Sequence, residues 1–320
     1  MCVRIMLKGK DMSEANNLKP YIAGVIFTFI VGFSFLMIKI CVPYADTVQI
    51  MTYRFDFAMI AVAAVLAAGH RRSSGTPFSG KKVLLIPASF YIACLALQTF
   101  GLRYSTSIEA TIIFAVSPLI VQVISSLFLK EKSTVLQWLL VMASAAALIA
   151  MVAIGNKISM NAVGVALLLL AAVLMAVYTV TARHFRKAGS PMDMTAVIVA
   201  EGFIAFNAVS VSTCAAAGDP LSYFAPLFHW QFAAATAYLG IGCIMLSAQM
   251  MNYMLSSLHA VNASIFGNAS TLVTIMAGAL ILGEQLHVYQ VICAAVILGA
   301  VIGISVDGEK QRRLEAINGH

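Results

Sequence analysis

The stretch LKEKSTVLQ, Leu129–Gln137, returns as LGEQLHVYQ, Leu282–Gln290, with Leu, Glu, Val and Gln at the same spacing. Each copy joins two long apolar runs. Apolar runs resemble one another by composition alone, but a glutamate and a glutamine at the same junction twice do not arise that way. The same offset aligns Leu102–Val152 with Leu255–Ser305 without a gap, at 12 identities in 51 positions. The chain therefore contains an internal duplication, and everything else in the sequence is read around it.

Of the 320 residues, 61% are hydrophobic and only 10% charged, against roughly 25% charged in ordinary soluble domains. So little polar surface cannot disperse a chain of this size in water, and the solvent must be lipid. A helical span needs about 20 apolar residues to cross roughly 30 Å of hydrocarbon. Ten segments meet that length: Tyr21–Val42, Thr47–Gly69, Val83–Leu102, Ile108–Phe128, Val135–Ile154, Ala162–Ala182, Met194–Ala216, Phe232–Leu255, Val261–Leu282 and Val288–Val306. Unpaired backbone groups are not tolerated in lipid, so all ten are expected as helices and the fold as an all-α integral membrane protein. The first run follows a polar, basic segment without a cleavage signature and reads as a span, not a signal peptide.

The basic residues orient the chain. With the N-terminus in the cytoplasm, sixteen Lys and Arg fall in inner segments, while Arg103 and Lys157 alone fall outside. That asymmetry places both termini inside. The longest outer loop, Gly218–Trp230, holds no Lys or Arg and carries Tyr223, Phe224, Phe228 and Trp230, which reads as an interfacial aromatic belt. The expected organisation is a cytoplasmic segment 1–20, a five-helix repeat 21–154, an outer linker 155–161, a second repeat 162–306 and a cytoplasmic tail 307–320. Five crossings per repeat is an odd number, so the second copy enters the membrane upside down. Inverted repeats are a signature of alternating-access transporters, with the substrate site near the midplane where the halves meet.

The same residues resemble a known family. YSTSIEATIIFAVSPLIVQVISSLFLKEKST (Tyr104–Thr134), with its Ser-Pro inside the fourth span and short L-x-E loop, resembles the repeat end of the drug/metabolite transporter superfamily, EamA type. Thr271–His287 resembles the second copy, and GFSFLMIKI (Gly32–Ile40) the end of the family's first span, with Lys39 at its lysine. The resemblance implies ten spans in two five-helix repeats in the cell (inner or plasma) membrane, no cofactor, and export of amino acids or other small metabolites. There are two departures. No Trp precedes Gly32, and Thr271 stands where the ninth span of the family has a proline, which bears on the kink of the second half and the shape of the site.

Ionisable groups inside a span cost about 2.5–3.5 kcal/mol each on insertion scales, so Lys39, Arg54, Asp56 and Glu201 are candidates for function. Lys39 is close enough to the outer end of its helix to snorkel. Arg54 and Asp56, two residues apart, face different directions, so one of them must look to another helix. Arg54 and Glu201 read either as cavity-facing groups that bind a zwitterionic substrate or relay a proton, or as a buried structural ion pair. Gln98, Tyr178, Asn207 and Asn268 would complete a substrate pocket, although intramembrane Asn also serves as a helix–helix hydrogen-bonding group. Glu109 reads as a helix N-terminal carboxylate. Pro118 reads as a bend, and Glu131 and Glu284 as loop anchors of the repeat motif. Gly299 and Gly303 form a G-x-x-x-G that serves close packing within one chain or across a homodimer.

Other functions fit less well. The six histidines fall in loops, span ends or the tail, with no H-E-x-x-H, G-x-S-x-G or P-loop, so neither catalytic residues nor an ATP-driven pump are indicated. The six cysteines are scattered without C-x-x-C, so no metal site is indicated. The net charge of +7 is spent in short loops, not gathered into a nucleic-acid face. The expected partners are therefore a small-molecule substrate and the lipid bilayer. Within transport, the alternatives to metabolite export are efflux of lipophilic cations and exchange of phosphorylated solutes, the latter short of deep cations. A receptor or structural membrane protein would need no inverted repeat.

Overall fold

The computed structural model describes residues 19–69, 82–128, 134–156, 161–185, 188–218, 223–257 and 260–318. Among these there are ten helical rods and no strand. They are α1 (Lys19–Cys41), α2 (Thr47–Gly69), α3 (Leu85–Gly101), α4 (Ser107–Phe114 continuing as Ser117–Phe128) and α5 (Val135–Asn156). The second set is α6 (Ala162–His184), α7 (Pro191–Ala216), α8 (Trp230–Ala237 through Ser247–Ser257), α9 (Ala260–Ile281) and α10 (Val288–Asn318). Eight are apolar over a span length, and α5 and α9 contribute shorter apolar cores, Val135–Met151 and Ala269–Ile281. Each of those two still has 22 residues, about 33 Å of helix, which is enough to cross. The chain is an all-α, multi-pass membrane protein.

The recurring polar residues are explained by the ends of the helices. Gln137 accepts the Thr134 backbone N–H at 3.3 Å, and Gln290 accepts that of His287 at 3.0 Å. Each glutamine thus satisfies an orphan donor at the start of the fifth helix of its repeat, and each is buried in doing so. Glu284 reaches into the other repeat. Its carboxylate accepts Ser107 N at 2.8 Å, Ser107 Oγ at 2.7 Å and Ile108 N at 3.0 Å, closing the N-terminus of α4. Thr106 and Glu109 complete that terminus as a capping box. Glu131 lies outside the described residues.

The helix breaks also follow from the sequence. Pro118 has no N–H for Phe114 O, the helix parts at Ala115–Val116, and Ser117 Oγ donates to the freed carbonyl at 2.7 Å. In the second repeat Ser270 Oγ likewise donates to Gly267 O, but Thr271 keeps its own N–H and α9 runs on unbroken. In α1 a turn at Phe33 interrupts the helix, and Thr274 Oγ1 donates to Gly32 O at 2.6 Å across to α9. The middle of α8, Tyr238–Leu246, is wound as a π-helix, a form frequent at functional sites. The last helix continues past the expected span end to Asn318, and Asp307 on that extension accepts Thr134 Oγ1 and Gln137 Nε2.

The packing has the symmetry of the duplication. α2 lies against α7, α4 against α9 and α5 against α10, each helix meeting its own counterpart. α3 lies along α6 and α1 along α8, and these two pairs exchange when each helix is replaced by the one five places away. The crossings α2·α8 and α3·α7 are related in the same way. Every helix of one repeat is therefore held by helices of the other.

Candidate substrate site

The sequence of α2 is buried almost all round between Ile50 and Phe55, because the helix is enclosed by α7 and α8 rather than facing lipid. Gly240 in the π-wound part of α8 permits this. A Cβ there would lie 2.4 Å from Arg54 O and 2.8 Å from Ala58 N, so only glycine lets the two backbones approach so closely. Gly202 on α7 performs the same service for the Phe55 ring, which stacks on Phe206 at 5.7 Å. These contacts fix α2 and carry Arg54 into the interior.

Arg54 is 3% exposed, and among the described residues no hydrogen bond or ion pair reaches its guanidinium. Its Nε and Nη1 are sealed from solvent without a partner. Its charge acts on Cys41, Tyr91, Cys94 and Cys243, which surround it from α1, α3 and α8. On α3, Tyr91, Cys94 and Gln98 are spaced i, i+3, i+7 and share one helical face. Gln98 is 7% exposed, and its amide has no hydrogen-bond partner among the described residues. Tyr178 of α6 meets Tyr91 with ring centroids 4.7 Å apart, and neither phenol oxygen bonds to a described residue. Both rings are half-buried. At 1.5 Å per residue, Arg54 lies about 10 Å from the N-terminal end of α2, and Cys94 and Tyr91 about 10 and 15 Å from the C-terminal end of α3, which puts Tyr91 near the middle of its helix. The wall is built from both repeats: α2 and α3 from the first, α6 and α8 from the second.

The other candidates lie elsewhere. Asp56 accepts Asn207 Nδ2 at 2.7 Å, and Tyr223 OH lies 2.7 Å from Asn207 Oδ1 and 3.2 Å from Asp56 Oδ2. Tyr53 OH donates to Tyr223 O, so the loop that carries Tyr223 is held onto α2 and α7. The Tyr223 phenol, pushed up to about 12 by burial and next by the Asp56 charge, keeps its proton and remains a donor. Tyr223 is thus a polar latch and not simply a belt aromatic. Glu201 Oε1 takes Ser89 Oγ at 2.5 Å, while its Oε2 is buried without a partner. Its neighbour Gly202 packs on Phe55, next to Arg54, but neither Glu201 Oε2 nor the Arg54 Nε and Nη1 has a bonding partner, so no hydrogen bond joins these atoms. Lys39 sits near the C-terminal end of α1, within the fields of Glu284 and Glu109. Asn268 is carried on α9, and its side chain lies outside what is described.

Sequence reasoning did not single out Tyr91, Ser89 or Tyr223 as site residues. The i, i+3, i+7 spacing to Gln98 was the available signal for Tyr91. Nothing local marks Tyr223 as the partner of Asp56.

Comparisons with known proteins agree with this architecture. The model of the EamA-like transporter family matches residues 18–153 and again 162–306. The chain is similar to an uncharacterized transporter, YcxC, of Bacillus subtilis (strain 168), 33% identical over 311 residues, covering 94% of this chain and 97% of that protein. It is also similar to an uncharacterized transporter of Archaeoglobus fulgidus, 24% identical over 288 residues, with 88% and 96% covered. A solved crystal structure superposes with TM-score 0.58 at 15% identity over 90% of this chain and 97% of that one, a likeness of fold.

Proposed function

Because the chain belongs to the EamA-like transporter family, we propose that it is a secondary carrier that exports a small amphipathic metabolite of amino-acid size. The two repeats rock about a central site, exposing it to one side and then the other. The observation behind this reading is the wall of polar groups without protein partners, Arg54, Gln98, Tyr91 and Tyr178, drawn from helices of both repeats. Groups that must shed water and have no internal partner are those a passing solute can satisfy. Such a carrier sits in the cell membrane with both termini in the cytoplasm, and in this reading Glu201, whose Oε2 is buried without a partner, contacts the solute or relays a proton. Outward direction rests on the family resemblance.

The test is release of metabolites from a bacterium stripped of its own exporters, quantified by mass spectrometry with and without the chain. Excess release of one compound class supports the carrier. Its loss in Glu201→Gln at equal membrane abundance places Glu201 in the cycle, and its retention makes that residue structural. No flux of any solute in either direction would leave a receptor or structural protein instead.

A further inference from the structure

Resting on the carrier reading, we infer that the solute handled at Arg54 is an organic carboxylate of net negative charge with a planar apolar body, not a cation, a zwitterion or a phosphate. A guanidinium buried without its counter-charge is strongly disfavoured relative to a paired one. Neither deep carboxylate bonds to it: Asp56 is held by Asn207 and Tyr223, and Glu201 Oε1 by Ser89, with Oε2 buried and unpartnered. The missing negative charge must therefore arrive with the ligand.

The remaining groups set the rest of the class. One guanidinium matches one carboxylate, whereas a phosphate dianion calls for several cations. No other described Lys or Arg shares this wall, since Lys39 faces Glu284 and Glu109 at the C-terminal end of α1. A cation would meet Arg54 as a like charge, and the ammonium group of a zwitterion would stand beside the guanidinium as well. Tyr91 and Tyr178, 4.7 Å apart with free phenol edges, offer ring faces to a flat body, and the Gln98 amide offers a further donor to the anion.

The experiment uses the purified full chain in detergent and three one-ring probes of different charge: benzoate, phenylalanine and benzylamine. Benzoate is expected to raise the unfolding midpoint in a saturable way, with the other two ineffective at the same concentrations. Arg54→Gln is expected to raise the benzoate Kd roughly 30-fold or more, and Arg54→Lys to recover part of that loss. The wild-type comparison of the three probes decides the matter even where the variants do not fold. Stabilisation by benzylamine or phenylalanine equal to or above that by benzoate overturns the inference, as does no shift with any probe. Neither result touches the carrier reading, which stands or falls on metabolite release.

Discussion

At the scale of single residues, the interior separates charged groups that are satisfied from those that are not. Asp56 has amide and phenol donors, Glu284 has three donors at the α4 terminus, and Arg54 has none. Hydropathy shows that Asp56 and Arg54 are deep, but not which of them is matched, because their partners come from distant parts of the chain. Tyr223 is an example, lying in a loop yet bonded to α2 and α7. Tyr223→Phe keeps the ring and removes the hydroxyl, leaving Asp56 and Asn207 to each other. We expect a loss of about 1 kcal/mol, read as a lower unfolding midpoint in detergent, with the chain still inserted at normal abundance. An unchanged midpoint would mean that the loop is not held through this hydroxyl.

At the scale of helices, glycines and caps decide which rods can meet. Gly240→Ala places a methyl group against the Arg54 carbonyl, and backbone cannot move aside as a side chain can. The expected cost is about 1–3 kcal/mol or more, seen as a sharp drop in the fraction surviving a heat step before size-exclusion chromatography. Gly299→Ala is the control, since nothing lies within 4 Å of a Cβ there, and it should behave as wild type. Glu284→Gln weakens the three bonds to the α4 terminus and removes a charge favourable to the helix dipole, for an expected loss of about 2 kcal/mol by the same assay. Much of this was legible in the sequence. Glu284 and the paired glutamines stood out as polar residues repeated at helix junctions, and the Ser-Pro break and the Thr271 departure followed from backbone chemistry. The face presented by Tyr91 was harder to read. A membrane helix is apolar on most sides, so periodicity does not separate a cavity-lining residue from a lipid-facing one.

At the scale of the molecule, the duplication was visible before the fold, since an odd number of spans per copy requires the second to be inverted. The packing agrees, with α2·α7, α4·α9 and α5·α10 as counterpart pairs. The pairing of Arg54 with Glu201 could not be judged from sequence, because it depends on which side chains the crossings bring together. Orientation is open to direct measurement. A C-terminal alkaline phosphatase fusion should be inactive and a C-terminal green fluorescent protein fusion fluorescent, the pattern of a cytoplasmic tail, and the opposite pattern would reverse the topology. The most direct measurement of alternating access is the reactivity of a single cysteine, Tyr91→Cys, in a chain whose six native cysteines are replaced. A membrane-impermeant maleimide is applied to vesicles of each orientation. A site between two rocking repeats gives labelling from both sides of the membrane, each slower than that of an exposed loop cysteine. Labelling from one side only, or from neither, would contradict a carrier that alternates about this site.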